Sequence, residues 1–310
     1  MIEHFHQTEH LSQEQLNDFL KKSNTPAILR FTVMYSFIIG SAVAIVYTYE
    51  GPWYLHLLSV FALAIGFCSS FACEHETSHN TAFKSRFLNT WAGRLCSFVQ
   101  LYPSTLFQEF HFTHHRFTHD PLRDPEISFA GKPIPILVGN LPFYLSWISG
   151  FPLLMAKLVM LSTSILGMPE WIKKRSFPFV RNSVRFTLFL EALAILLFHS
   201  ALIYLAIHYH SGIWSIYWAL LLGHCLLSSY LVPEHNGLPH EGSIMQKTRS
   251  MNAPKIVKFI MWNMPYHAEH HAYPAIPFHA LPALHKSLEK DILHQENYLE
   301  VHAKVVRGKF

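Results

Sequence analysis

Charged side chains are what this chain has least of. Only 14% of its 310 residues are Asp, Glu, Lys or Arg, and 50% are hydrophobic, where a soluble domain carries about 25% charge. That shortage excludes an ordinary water-facing surface and points to a membrane protein. The formal charge of +4 is too mild for a nucleic-acid footprint and implies no nucleic-acid partner. Cysteine is scarce as well. Cys68, Cys73, Cys96 and Cys225 are scattered with no CxxC, which excludes a disulfide framework and leaves reduced thiols as the expectation. The N-terminal stretch MIEHFHQTEHLSQEQ has neither a basic start nor an apolar core, so no secretory signal is expected. No internal repeat, low-complexity linker or domain boundary is visible, and residues 1–310 are read as a single domain.

What the chain has in place of charge is apolar length and histidine. Four apolar runs, at 31–47, 53–73, 186–208 and 213–232, each approach the ~20 residues that cross a hydrocarbon core. Glu50, Gly51 and Pro52 break the first pair, and His208, Tyr209, His210, Ser211 and Gly212 break the second, so the runs form two helical hairpins. The predicted fold is all-α: four transmembrane helices with a helical cap made from 74–185 and 233–310, and a polar tail over 1–26 holding a short amphipathic helix. His4, His6 and His10 in that tail read as solvated. Residues 88–107 carry Arg94 in mid-run and read as interfacial. Residues 134–166 are long and apolar but interrupted by Pro135, Gly139, Pro142, Gly150 and Pro152. With basic residues on both flanks they read as a surface or re-entrant segment that starts and ends on one side; a true crossing is the competing topology. Neither short turn contains Lys or Arg. By the positive-inside rule both termini and the cap face the cytoplasm.

The histidines number 23, nearly as many as Lys and Arg together at 24. They concentrate at the predicted cap. His75 and His79 lie four apart at the end of the second span. His111, His114 and His115 repeat a spacing found again at His267, His270 and His271. Positions i, i+3 and i+4 share a helix face, so each triplet is expected to converge on a point. His235 follows the fourth span and makes a ninth donor. Nine imidazoles exceed the needs of one ion and suit two of about four or five ligands each, a dinuclear metal site. Imidazole serves Zn, Cu, Fe and Ni alike. The setting discriminates: a dinuclear centre at the mouth of an apolar interior is suited to attacking an alkyl chain, which needs activated oxygen and hence iron.

HETSH, HFTHH and HAEHH, with hairpins between them, resemble the histidine boxes of the integral-membrane fatty acid desaturase/hydroxylase superfamily. The stretch MWNMPYHAEHHAYPAIPFHALPALH is especially similar to the third box of bacterial desaturase-type members. The resemblance spans roughly 31–285. It implies two Fe in a cytosolic non-haem diiron centre held by His75, His79, His111, His114, His115, His235, His267, His270 and His271, in a bacterial inner membrane. Some acyl-CoA desaturases place an Asn one turn before the late histidine; here that position is Leu231, and the role is not carried over.

Carboxylates near the boxes are candidates to orient imidazoles: Glu74, Glu76, Asp124, Glu126 and Glu234, with Asp120 and Glu269 preferred. Glu191 lies inside an apolar span, where a carboxylate is a functional candidate unless it reaches the interface. His224 sits on the face of His235 but deeper, and reads as a non-ligand. The expected activity is O2-dependent desaturation of a membrane lipid or acyl chain. A hydroxylase or ketolase acting on an acyl chain, alkane or carotenoid is the alternative; a metal transporter would instead distribute its histidines along the spans. HPGG and iron–sulfur cysteines are missing, so a separate electron donor of ferredoxin, rubredoxin or cytochrome b5 type is implied. Lys247, Arg249, Lys255 and Lys258 are candidates for its docking face, or equally for contact with lipid headgroups.

Overall fold

The computed structural model of the chain describes residues 11–310; His4, His6 and His10 lie outside the described residues. The tail helix α1 (Gln13–Phe19) begins with a capping box between Ser12 and Gln15. Then come the first hairpin, α2 (Asn24–Thr48) and α3 (Trp53–Ser78), and two helices at its foot, α4 (Arg86–Gln100) and α5 (Ser104–Phe117). A bent pair, α6 (Leu141–Ile148) and α7 (Phe151–Ile165), leads through α8 (Glu170–Ser176) to the second hairpin, α9 (Arg185–His208) and α10 (Trp214–Leu231). Five short helices finish the cap: α11 (Ile244–Lys247), α12 (Lys255–Ile260), α13 (His267–Ala272), α14 (Leu281–Leu288) and α15 (Tyr298–Arg307). Four two-residue strands pair as β1 (Ser128–Phe129) antiparallel to β2 (Lys132–Pro133) and β3 (Ser250–Met251) parallel to β4 (Gln295–Glu296). The all-α expectation holds.

Among the described residues, four helical stretches are long and apolar enough to cross a membrane. The spans match the predicted runs at the turns, and the first two outgrow them at the other ends. α2 starts at Asn24 and takes in Arg30, whose guanidinium bonds the carbonyls of Lys258 and Phe259 at 3.2 and 3.3 Å. α3 continues past the apolar run to Ser78, so His75 lies within the helix. α3 is the central helix: 61% of its apolar window is buried, against 22% for those of α2 and α9, and it packs on α2, α4 and α10. Close approach to α10 depends on Gly223, where an added Cβ would stand 3.1 Å from Phe67 Cβ and 3.2 Å from the Ala64 carbonyl. Small residues allow this backbone proximity between membrane helices.

The two hairpin turns sit together, with the rings of Tyr49 and His210 5.7 Å apart. The opposite ends of the hairpins therefore also share one side, and the cap lies there. α5, whose last turns face the cap, and the start of α9 both belong to that side: Arg181 pairs with Glu109 at their junction. The bent pair between them must begin and end on it, as a re-entrant segment does. α6 and α7 meet at 60°. Gly150 forms the corner at φ +74°, and an added Cβ would lie 2.5 Å from the backbone of His224 and Cys225 in α10. The corner is thus wedged against the fourth span. Lys157 of α7 is buried and donates to Gln100 Oε1 at 2.5 Å; Gln100 in turn donates to the Phe67 carbonyl and Ser70 hydroxyl of α3. A buried ammonium is tolerable only when hydrogen-bonded in this way.

The interfacial segment predicted over 88–107 resolves into α4 and the start of α5. Leu101, at φ +62°, ends α4, and Pro103 starts α5. Arg94 reaches back to Glu191 of α9 at 2.9 Å, and the same carboxylate accepts from the Thr105 amide and hydroxyl. Glu191 is therefore a paired anchor between α9 and the α4–α5 corner. All four cysteines are free.

Candidate metal centre

Three helices and one loop bring the histidines together. α3 presents His75 and His79, α5 presents His111, His114 and His115, α13 presents His267, His270 and His271, and the turn after α10 presents His235. All nine gather in two groups whose candidate ligand atoms lie within 4.8 Å of one another: five in His75, His79, His111, His115 and His270, four in His114, His235, His267 and His271. The count matches the sequence expectation, but the partition corrects it. Neither triplet converges on a single point. Successive helical residues are ~100° apart around the axis, so the i and i+4 rings stay on one side, meeting edge to face, while the i+3 ring swings away. His111 and His115 accordingly serve one group and His114 the other. In α13, His267 and His271 stay together and His270 crosses over.

The imidazoles face each other nitrogen to nitrogen. Nε2 of His111 lies 2.8 Å from Nε2 of His79 and 3.0 Å from that of His115, which is 3.1 Å from Nε2 of His270. In the second group Nε2 of His267 and His235 are 3.0 Å apart, and those of His114 and His271 3.3 Å. A ring nitrogen is either donor or acceptor, so a set converging like this cannot satisfy itself with hydrogen bonds alone. Buried Nε2 of His75 has no partner. These are the properties of a donor set shaped around cations, and the residues fit a pair of metal ions with imidazole ligands.

Acceptors behind the rings hold protons on the outer nitrogens and so turn the lone pairs inward. His114 Nδ1 lies 3.0 Å from both Asp124 oxygens, His235 Nδ1 donates to the Lys247 carbonyl at 2.9 Å, and His75 Nδ1 is 3.2 Å from Glu76. Thr118 donates its hydroxyl proton to the His114 carbonyl at 3.0 Å, leaving its oxygen to accept from His271 Nδ1 at 3.2 Å. Burial, reinforced by neighbouring imidazoles, depresses the pKa of His79, His111, His115, His235, His267 and His271 well below the ordinary range, and that of His270 to about 3. Neutral imidazole is the ligand form. His114 differs. Burial lowers its pKa, but the charges of Asp124 and Glu126 outweigh that and raise it to about 9.

The two preferred carboxylates are elsewhere. Asp120 faces outward: Oδ1 accepts from the amides of Leu122 and Arg123, and Oδ2 pairs with the Arg123 guanidinium at 2.6 Å. It closes a surface turn and touches no box imidazole; Asp124, one turn further on, does. Glu269 is fully buried on the opposite side of α13 from the two groups, bonded to Ser250 and His285. Two residues from His267 is ~200° around the helix, so Glu269 cannot reach the centre its neighbours face and instead clamps α13 to β3 and α14. His224 donates Nδ1 to the Leu220 carbonyl at 2.8 Å and belongs to neither group. Glu74 is buried beside Tyr102. Glu126 and Glu234 approach His114 and His267 at 3.6 and 3.8 Å.

A family model described as fatty acid desaturase matches residues 51–302. The chain belongs to the fatty acid desaturase family. Every histidine of both groups falls inside the matched stretch, and membership makes the protein an oxidoreductase of the membrane desaturase/hydroxylase superfamily. No curated protein matches the chain.

Sequence reasoning missed several residues that hold this desaturase-family centre in shape. Thr118 is one; its spacing after His114 is an ordinary helical back-bond. Arg249 is another. It is fully buried, pairs with Glu296 at 3.0 Å, and donates to the carbonyls of Pro233 and Asn236, which bracket His235. That removes Arg249 from the proposed donor-docking face. Lys258 donates to the Tyr266 hydroxyl at 2.9 Å on α12, beside Arg30 of the first span, a position suited to the membrane edge. Trp262 and Asn263, both at positive φ, make the tight turn that delivers α13, and Trp262 is buried on Phe278.

Proposed function

We propose that the protein is an O2-dependent fatty acyl desaturase with a non-haem diiron centre, His75, His79, His111, His115 and His270 holding one iron and His114, His235, His267 and His271 the other. The carrying observation is the convergence of nine neutral or proton-shared imidazoles into two adjoining groups beside lipid-facing helices. Bound iron supplies the oxidising power, drawn from O2, that breaks unactivated C–H bonds. The chain's own part is placement. Asp124, Thr118 and the Lys247 carbonyl keep protons on outer nitrogens and lone pairs inward. Phe107, stacked on His111 at 5.2 Å, and Phe71, 6.3 Å from His75, form apolar walls that keep water away and suit a methylene chain. Two hydrogens taken from neighbouring carbons provide two of the four electrons that convert O2 to water. A separate one-electron carrier, of ferredoxin, rubredoxin or cytochrome b5 type, supplies the others. The lysine- and arginine-free hairpin turns support a cytoplasmic centre and cytoplasmic termini.

The test is fatty-acid and lipid profiling of a host expressing the wild type beside His270→Ala, with iron measured on both purified proteins. A new double bond made only by the wild type, with iron reduced in the variant, is the expected result. Oxygen from O2 retained in the product would assign a hydroxylase, and an unchanged profile with no bound iron would end the reading.

A further inference from the structure

Desaturation as read above needs electrons delivered from outside, and a file of imidazoles leads from the surface to the four-imidazole group. The ring of His119 lies 6.0 Å from that of His235, tilted by only 29°. His119 is buried. Beyond it His240 is exposed, its ring centroid 4.3 Å from that of His119. The two are bonded reciprocally across the gap: His240 Nδ1 donates to the His119 carbonyl at 2.9 Å, and His119 Nδ1 donates to the Pro239 carbonyl at 2.9 Å. Neither ring belongs to the two metal-binding groups.

The placement of His119 is enforced. Its φ is +63°, a region that residues with side chains seldom occupy and that persists only where the surroundings over-determine it. The Asp124 carboxylate accepts the His119 amide at 2.7 Å, and the same carboxylate orients His114. One acidic side chain thus sets both a group member and the ring standing between His235 and the surface. A histidine buried merely to fill space needs neither a strained backbone nor an exposed, hydrogen-bonded histidine in file behind it.

We propose that His240 and His119 form the electron entry route to the centre, with the surface at His240 the docking point of a one-electron carrier protein; this rests on the diiron reading. Each transfer oxidises the carrier by one electron and reduces one ferric iron to ferrous, and two transfers serve one turnover. The imidazoles are the medium, oxidised at no point, and no bond or proton moves along them. Tunnelling falls off exponentially with the gap, so closely spaced rings couple far better than open space. The exposed side of α12, with Lys255, sits by the first span instead and lies off this route.

The test uses full-length, iron-loaded, oxidised protein mixed anaerobically with reduced ferredoxin, reduced rubredoxin or reduced cytochrome b5 and, separately, with dithionite, following loss of the ferric signal. In His240→Ala, reduction by the most effective carrier is expected to slow about tenfold, while dithionite reduction and iron content match the wild type. His240→Phe, which keeps a ring in place, is expected to retain more of the rate than His240→Ala. Carrier-driven reduction of His240→Ala at the wild-type rate overturns the route and leaves the diiron reading intact. Equal slowing by dithionite, or loss of iron in His240→Ala, also overturns it, because the residue is then structural. A wild type that binds no redox-active iron ends both.

Discussion

The five-imidazole and four-imidazole groups draw on the same boxes but are held by different means. In the first, four rings come from helices α3, α5 and α13, and the fifth, His79, caps the end of α3. Glu76 stands behind His75, while the outer nitrogens of His115 and His270 have no partner. In the second, His235 comes from a turn, and Asp124, Thr118 and the Lys247 carbonyl stand behind three of the four rings. Where helices converge, backbone geometry aims the ligands. Where a loop must contribute, hydrogen bonds replace the helix, and buried Arg249 pins the loop. The second group is also the one that the His119–His240 file approaches.

The most severe break is removal of a ligand. His235→Ala is expected to empty the four-imidazole group, lowering metal per chain from two to about one, and His270→Ala to weaken the hold of the five-imidazole group, which keeps four rings, each abolishing product; metal analysis and lipid profiling read both. Arg249→Met separates the groups by stability. It leaves the Pro233 and Asn236 carbonyls without their buried donor while Glu296 keeps Lys304, a loss of about 2 kcal/mol, and is expected to cost metal from the four-imidazole group while the other keeps its ion. Thermal denaturation in detergent with metal stoichiometry checks this. Asp124→Asn preserves shape but weakens proton retention on His114, and metal affinity of that group is expected to fall by about 10- to 100-fold. Glu76→Gln should do less, since α3 already aims His75.

Acidity offers the gentlest separation. His114, at about 9, carries an extra proton across the neutral range, and a metal must displace it. His270 at about 3, with His79, His111 and His115 also depressed, has none to lose. As pH falls from 8 to 6, affinity of the four-imidazole group should drop by up to about tenfold per unit, while the five-imidazole group stays flat. Competition with a chelator across that range, followed by metal analysis, measures it; equal slopes would contradict the contrast.

Much of this is legible in the sequence. The spans announce themselves by apolar length, and the boxes by three- and four-residue spacings that put rings on one helix face. The bend within 134–166 follows from its prolines and glycines, Gly150 above all. The acidic partners were not legible. Asp120 and Asp124 are equivalent in sequence terms, yet Arg123 and two turn amides claim the first and leave the second to fold back under His114. Glu269 looked close to the rings because it lies between them in the chain, where helical rotation in fact sends it to the opposite side.

The number and type of candidate ligands and the four candidate spans belong to the sequence alone, because hydropathy and helical periodicity act over a few turns and need no distant partner. Tertiary structure decided how the nine rings divide into five and four, which carboxylate stands behind which ring, how Lys157 is satisfied inside the re-entrant corner, and that His119 and His240 line up with His235. The division of the rings and the file behind His235 depend on segments more than a hundred residues apart meeting at set angles, as His115 and His270 do, and no local spacing encodes such a meeting.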